Sequence, residues 1–153
     1  MKDSDLHDLE FTRDYAVTVE RLWQAITRPD QLAQWFGPEG TRIGTCDLNF
    51  TRTGPWFCIM IGRESGREFK ASGQVTSVRP PEGGAGSVGL TWAWHDDTDT
   101  RGSESHVTFT VERTDSGARL ILVHRGLPTV ESAQDHSRGW LSTINSLDAF
   151  LGA

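Results

Sequence analysis

Val130 to Leu151 reads VESAQDHSRGWLSTINSLDAFL, and the period of that stretch decides the fold. Ala133, Trp140, Ile144, Leu147 and Leu151 recur at spacings of three, four and seven, with Leu141 and Phe150 widening the apolar stripe. That pattern predicts one long amphipathic helix. Gln134, Asp135, Arg138, Thr143, Asn145 and Asp148 take the opposite side. At 1.5 Å per residue such a helix runs roughly 30 Å, the length of a small domain. Gly139 falls inside it, where glycine costs about 1 kcal/mol relative to alanine. The expected reason is the close approach of another backbone. The helix is therefore expected to be the central packing element.

Working back from it, Gly126 and Pro128 separate the helix from an alternating strand, Ala118 to Arg125, with Leu120, Leu122 and His124 on one face. Asp115-Ser116-Gly117 is a hairpin turn, and His106 to Glu112 carries Val107, Phe109 and Val111 on one side. Beyond the polar loop Asp96 to Gly102, Ser87 to His95 places Leu90, Trp92 and Trp94 together. Phe69 to Val78, Trp56 to Ile61 and Asp47 to Thr51 read as three further strands, with Pro80-Pro81 ending the first of them. Leu9 to Val17 alternates as an opening strand. Thr18 then caps a helix whose inner face is Val19, Leu22, Trp23 and Ile26. Pro29 opens a second short helix that ends in Trp35-Phe36, stopped by Gly37-Pro38. The expected order is β-α-α-β-β-β-β-β-β-α: an α+β domain spanning 1–153, with an antiparallel sheet whose apolar face the terminal helix covers.

The chain has 153 residues, a net charge of −6 and a sequence pI near 5.3. That balance argues against nucleic acid as a partner, which needs a basic face. No apolar run approaches the roughly 20 residues of a membrane span, and the acidic opening MKDSDLHDLE lacks the apolar core of a signal peptide. Cys46 and Cys58 read as two isolated thiols, so a reducing cytoplasm is the expected compartment. All but Lys2 and Lys70 of the 15 basic residues are arginine, a skew that points to a GC-rich bacterial genome.

Familiar motifs carry little here. Gly84 to Gly89 spells GxGxxG, but it follows a diproline and opens a strand, whereas a dinucleotide loop follows a strand and opens a helix. Asp97-Thr98-Asp99 begins like a calcium loop, yet Arg101 stands at the fifth position, which needs an oxygen ligand, and Thr108 at the twelfth, which needs a glutamate. No histidine pair has helical metal spacing, and neither HExxH nor a GxSxG elbow occurs. No cofactor, metal or catalytic nucleophile is expected on this reading. Acid–base chemistry by a pocket histidine or aspartate stays open.

Several stretches together resemble a known family. They are Val19-Glu20-Arg21-Leu22-Trp23; Thr27 to Phe36, reading TRPDQLAQWF; Gly73-Gln74-Val75; Leu90-Thr91-Trp92-Ala93-Trp94; Leu120 to His124; and His136-Ser137-Arg138-Gly139-Trp140. In this order they are similar to proteins related to the C-terminal domain of the Hsp90 ATPase activator, a branch of the START/Bet v 1-like helix-grip superfamily. The resemblance implies a curved antiparallel sheet gripping the C-terminal helix over a cavity. Gly54-Pro55 departs from the family's usual paired glycine, which implies a stiffer hairpin edge.

Three functions follow as expectations. One is binding of a small, largely apolar molecule between sheet and helix. A second is interaction with an Hsp90-type chaperone, for which the family's eukaryotic member carries a further N-terminal domain that this length leaves no room for. A third is an enzyme of the polyketide cyclase or aromatase type acting on an aromatic or polyketide-like substrate. Expected partners are a small hydrophobic molecule, a chaperone or other protein, and a second copy of the chain. Strand alternation nominates Trp56, Met60, Trp92, Trp94, His124 and Trp140 as the ligand-binding residues, since pockets are lined mainly by apolar and aromatic groups.

Overall fold

The computed structural model describes residues 6–152. β1 (His7–Tyr15) is followed by α1 (Val19–Thr27) and α2 (Pro29–Leu32). Then come β2 (Thr41–Asp47), β3 (Gly54–Gly62), β4 (Glu68–Arg79), β5 (Ala85–Trp94), β6 (Ser105–Thr114), β7 (Gly117–Leu127) and α3 (Val130–Phe150). The seven strands form one antiparallel sheet in the order β1-β7-β6-β5-β4-β3-β2. From β2 to β7 each strand pairs with its successor, while β1 sits at the far edge beside β7. The connection from β1 to β2 therefore crosses the sheet and carries α1 and α2. The order of elements is the one expected from periodicity.

Register shifts in β1, β2 and β4 bend the sheet. At Gly73 the backbones of β4 and β5 approach so closely that a Cβ would lie 2.0 Å from the Thr91 carbonyl oxygen. Only glycine fits there. Trp56, the cross-strand partner of Gly73, donates its Nε1–H to the same oxygen at 2.9 Å. The inner face is apolar because the alternation places it so: Val107, Phe109 and Val111 from β6 and Leu120 and Leu122 from β7 are buried.

The second strand differs from expectation. It is Thr41–Asp47, not Asp47 to Thr51, and a register shift between Ile43 and Cys46 breaks the alternation that would have revealed it. Leu48 and Phe50 are buried from the loop that follows, where the Phe50 amide donates to the Thr27 carbonyl at 3.0 Å. The apolar residues that suggested a strand plug the end of α1 instead. α2 is also shorter than expected; turns continue it through Trp35, whose Nε1–H donates to the Ala25 carbonyl at 2.9 Å.

Cys46 and Cys58 are cross-strand partners in β2 and β3 and form a disulfide. This corrects the expectation of two isolated thiols, and it removes the cysteines as an argument for a reducing compartment. Among the described residues no helix is long and apolar enough to cross a membrane.

In α3, the Thr129 hydroxyl caps the first turn by accepting from the Ser132 amide at 2.9 Å. Trp140, Thr143, Ile144 and Leu147 are its buried residues. Leu141 is 44% exposed and lies outside the stripe it was expected to widen. Thr143, expected on the polar side, is buried because its hydroxyl donates to the Gly139 carbonyl at 2.8 Å, satisfying the polar atom within the helix. The Tyr15 hydroxyl donates to Asp148 at 2.8 Å, tying β1 to the last turns of α3. Burial, then the Asp148 carboxylate, push the Tyr15 phenol above its ordinary value. Tyr15→Phe is expected to cost about 1.5–3 kcal/mol, as hydrogen bonds to charged groups do, read from urea unfolding.

Candidate functional site

Between the first half of α3 and the sheet lies a cavity of about 630 Å³. α3 contributes His136, Gly139, Trp140 and Thr143, with Glu131 and Asp135 on the solvent side. The sheet contributes Met60, Phe69, Trp92 and Trp94, and the segment after α2 adds Phe36, Gly37 and Pro38. Four of the six nominated residues, Met60, Trp92, Trp94 and Trp140, line it. Trp56 and His124 stand behind that wall. The Trp56 ring packs on Trp92 with centroids 5.0 Å apart, and His124 is fully buried.

Trp92 is the hub of the aromatic cluster. Its ring lies 5.5 Å from that of Trp94, 5.6 Å from Trp140 and 6.0 Å from Phe36, each pair T-shaped or tilted as the ring quadrupoles prefer. The Trp92 indole nitrogen is buried and has no hydrogen-bond partner among the described residues. The other two indoles are held by histidines. Trp94 donates Nε1–H to His136 Nε2 at 2.9 Å, and Trp140 donates Nε1–H to His124 Nδ1 at 3.0 Å.

These bonds assign the tautomers. His136 accepts at Nε2, so its Nδ1–H donates to the Ser132 carbonyl at 2.8 Å. His124 accepts at Nδ1, so its Nε2–H donates to Ser105 Oγ at 2.6 Å, and the Ser105 hydroxyl in turn donates toward the Trp92 carbonyl at 3.4 Å. Burial drives His124 down to about 3, with its neighbours His136 and His106 adding to the shift, so it is neutral at physiological pH.

The Ser105–His124 pair has the separation of a nucleophile and its base, but its polarity is reversed. A histidine that activates serine must present an unprotonated nitrogen to the hydroxyl and donate from the other to an orienting group. Here Nε2 carries the proton and Nδ1 is filled by an indole. The pair is therefore built for structure. Among the described residues no three His, Cys, Asp or Glu side chains converge as a metal site requires.

Ser105, His136, Gly139, Phe36 and Phe69 were not nominated from sequence. Of these Gly139 left a signal, a glycine inside a helical period, but its reason differs from the one expected. A Cβ built there meets nothing within 4 Å, and the residue borders the cavity. No backbone approaches it.

A seven-stranded antiparallel sheet curved around a long terminal helix, with an aromatic cavity between them, defines a helix-grip domain. The sequence profile of the activator of Hsp90 ATPase homolog 1-like proteins matches residues 16–152, and the chain belongs to that family. The crystal structure of the AHSA1 protein from Silicibacter pomeroyi is similar at 47% identity, covering 95% of this chain and 98% of that one, with a TM-score of 0.89. A Chromobacterium violaceum protein shares the fold at 22% identity, covering 95% and 98%, with a TM-score of 0.81. An Arthrobacter aurescens protein does so at 18% identity, covering 99% and 90%, with a TM-score of 0.78. No curated protein matches the chain.

Proposed function

We propose that this protein binds a small, largely apolar molecule in the cavity between the sheet and the first half of α3. Met60, Trp92, Trp94 and Trp140 contact it, and Trp56 and His124 hold those rings from behind. The observation that carries this reading is Gly139. Glycine at a helix interior costs about 1 kcal/mol relative to alanine, and here no neighbouring atom requires it. What it leaves is room, at the cavity wall. The apolar lining and the volume suit a small ligand. Both nitrogens of His124 are occupied and neither bonds a carboxylate, which favours binding over acid–base catalysis.

The test pairs two substitutions with a neutral fluorescent probe, N-phenyl-1-naphthylamine. Gly139→Ala is expected to raise stability by up to about 1 kcal/mol, since its methyl enters open space. Gly139→Leu is expected to fold and to lose the probe, because the longer side chain extends into the cavity. Probe binding that survives Gly139→Leu unchanged would place the molecule elsewhere and end the proposal. A native mass spectrum of the protein from its own cells, before and after denaturation, would then weigh any retained molecule.

A further inference from the structure

We propose that the cavity selects organic cations, an ammonium group on an aromatic or apolar body, and rejects carboxylates; this rests on the ligand-binding reading above. Three features of the wall lead there. First, the rings are pre-oriented. The N–H groups of Trp94 and Trp140 are spent on His136 and His124, so these two indoles present ring surface to the cavity. Indole ring faces attract cations, most strongly where water is excluded. The protein already uses this attraction at the rim, where the Arg67 guanidinium lies 5.0 Å from the ring centroid of Phe69.

Second, the histidines behind and beside the rings turn no free ring nitrogen to the cavity. Each accepts an indole N–H on one nitrogen and donates from the other. Third, the ionised side chains among the lining residues are carboxylates, Glu131 and Asp135, with no lysine or arginine among them. A ligand carboxylate would meet no cationic side chain there: the unpartnered Trp92 indole N–H is a neutral donor, and burying a charge without a counter-charge is unfavourable.

Opposing charges lie nearby and are weaker. Asp135 is paired with Arg138, Arg67 is exposed so that solvent screens its charge, and the N-terminus of α3 is worth about half a positive charge. Glu131 has no ion pair among the described residues and offsets that half charge with a full one. The balance inside the cavity is then set by the rings, which favour the cation.

The experiment displaces N-phenyl-1-naphthylamine from the wild-type protein with two matched compounds, (naphthalen-2-ylmethyl)trimethylammonium and naphthalen-2-ylacetate. It is run at ~0.15 M salt, where the Debye length of about 8 Å screens the protein's overall negative charge. The ammonium compound is expected to displace the probe at about tenfold lower concentration than the acetate, a difference between that of an exposed and that of a fully desolvated cation–π contact. Glu131→Gln with Asp135→Asn should narrow that ratio without abolishing it. A ratio below about threefold, or one favouring the acetate, overturns the charge selection while leaving the cavity reading intact. Failure of the neutral probe to bind wild-type protein is a different result: it removes the cavity reading, and the charge selection with it.

Discussion

Trp140→Ala is expected to lower the unfolding free energy by about 5 kcal/mol, a third or more of the 5–15 kcal/mol that a domain of this kind has. Two effects add. Deleting a buried tryptophan costs about 3–5 kcal/mol through lost transfer energy and the hole that remains. Trp140 is 5% exposed and packs on Trp92, Phe109 and His124 at ring separations of 5.6–6.0 Å. The substitution also strips the donor from His124 Nδ1 inside the core, and an unsatisfied buried acceptor costs about 1–3 kcal/mol. Trp140→Phe separates the two, keeping most of the ring and losing the bond, so it should cost about 1–3 kcal/mol. Trp94→Ala should cost less than Trp140→Ala, because Trp94 is only partly buried and already borders open space. Urea unfolding of the three variants reads these differences directly. Equal losses for Trp140→Ala and Trp94→Ala would contradict the placement of Trp94 at the cavity edge.

Stability should fall as pH drops from 6.5 toward 4.5, by about 2–3 kcal/mol over those two units. The group responsible is His124, whose ordinary value of 6.5 is pushed down to about 3 in the folded protein, by burial first and by His136 and His106 after it. Between those values the unfolded chain binds a proton that the folded one refuses. The contribution is therefore complete above pH 6.5 and is lost progressively as pH falls through the window, at about 1.4 kcal/mol per unit. The exposed carboxylates whose affinity for protons is lowered, Asp14, Asp96 and Asp99, titrate below this range and do not confuse it. His124→Gln keeps an acceptor for Trp140 and a donor for Ser105, and it should flatten the profile between pH 6.5 and 4.5. A wild-type profile already flat there would mean that protonated His124 finds room, and the hydrogen-bond chain Trp140–His124–Ser105 would have to be redrawn.

How much of this could be read from the chain alone depends on the range of the interaction. Strand faces and the terminal helix were legible because burial imposes periods of two and 3.6 on neighbouring residues. β2 was not, since the register shift between Ile43 and Cys46 interrupts the period within a seven-residue strand. The Cys46–Cys58 pairing and the Ser105–His124 bond depend on hairpin register across 12 and 19 residues, which no local pattern encodes. The cavity wall was half legible. Alternation found the tryptophans on β5, but Phe36, Phe69 and His136 come from a loop, another strand and the helix, and they converge only in three dimensions. Alternation put His124 on the inner face. Its bond to Trp140, 16 residues away, is what removes it from the cavity surface. Gly139 shows the limit most clearly: its presence in the helix was visible, but whether it made space for a backbone or for a cavity required the neighbours.

The open space beside Gly139 has a thermodynamic corollary. Any molecule that occupies it in the folded chain and not in the unfolded one adds RT ln(1 + [L]/Kd) to stability, about 2.7 kcal/mol at one hundred times Kd. For a chain of this length that raises the melting temperature by about 5–10 °C. Samples of the same protein carrying different cargo will then melt apart, so the melting point reports occupancy before the occupant has a name.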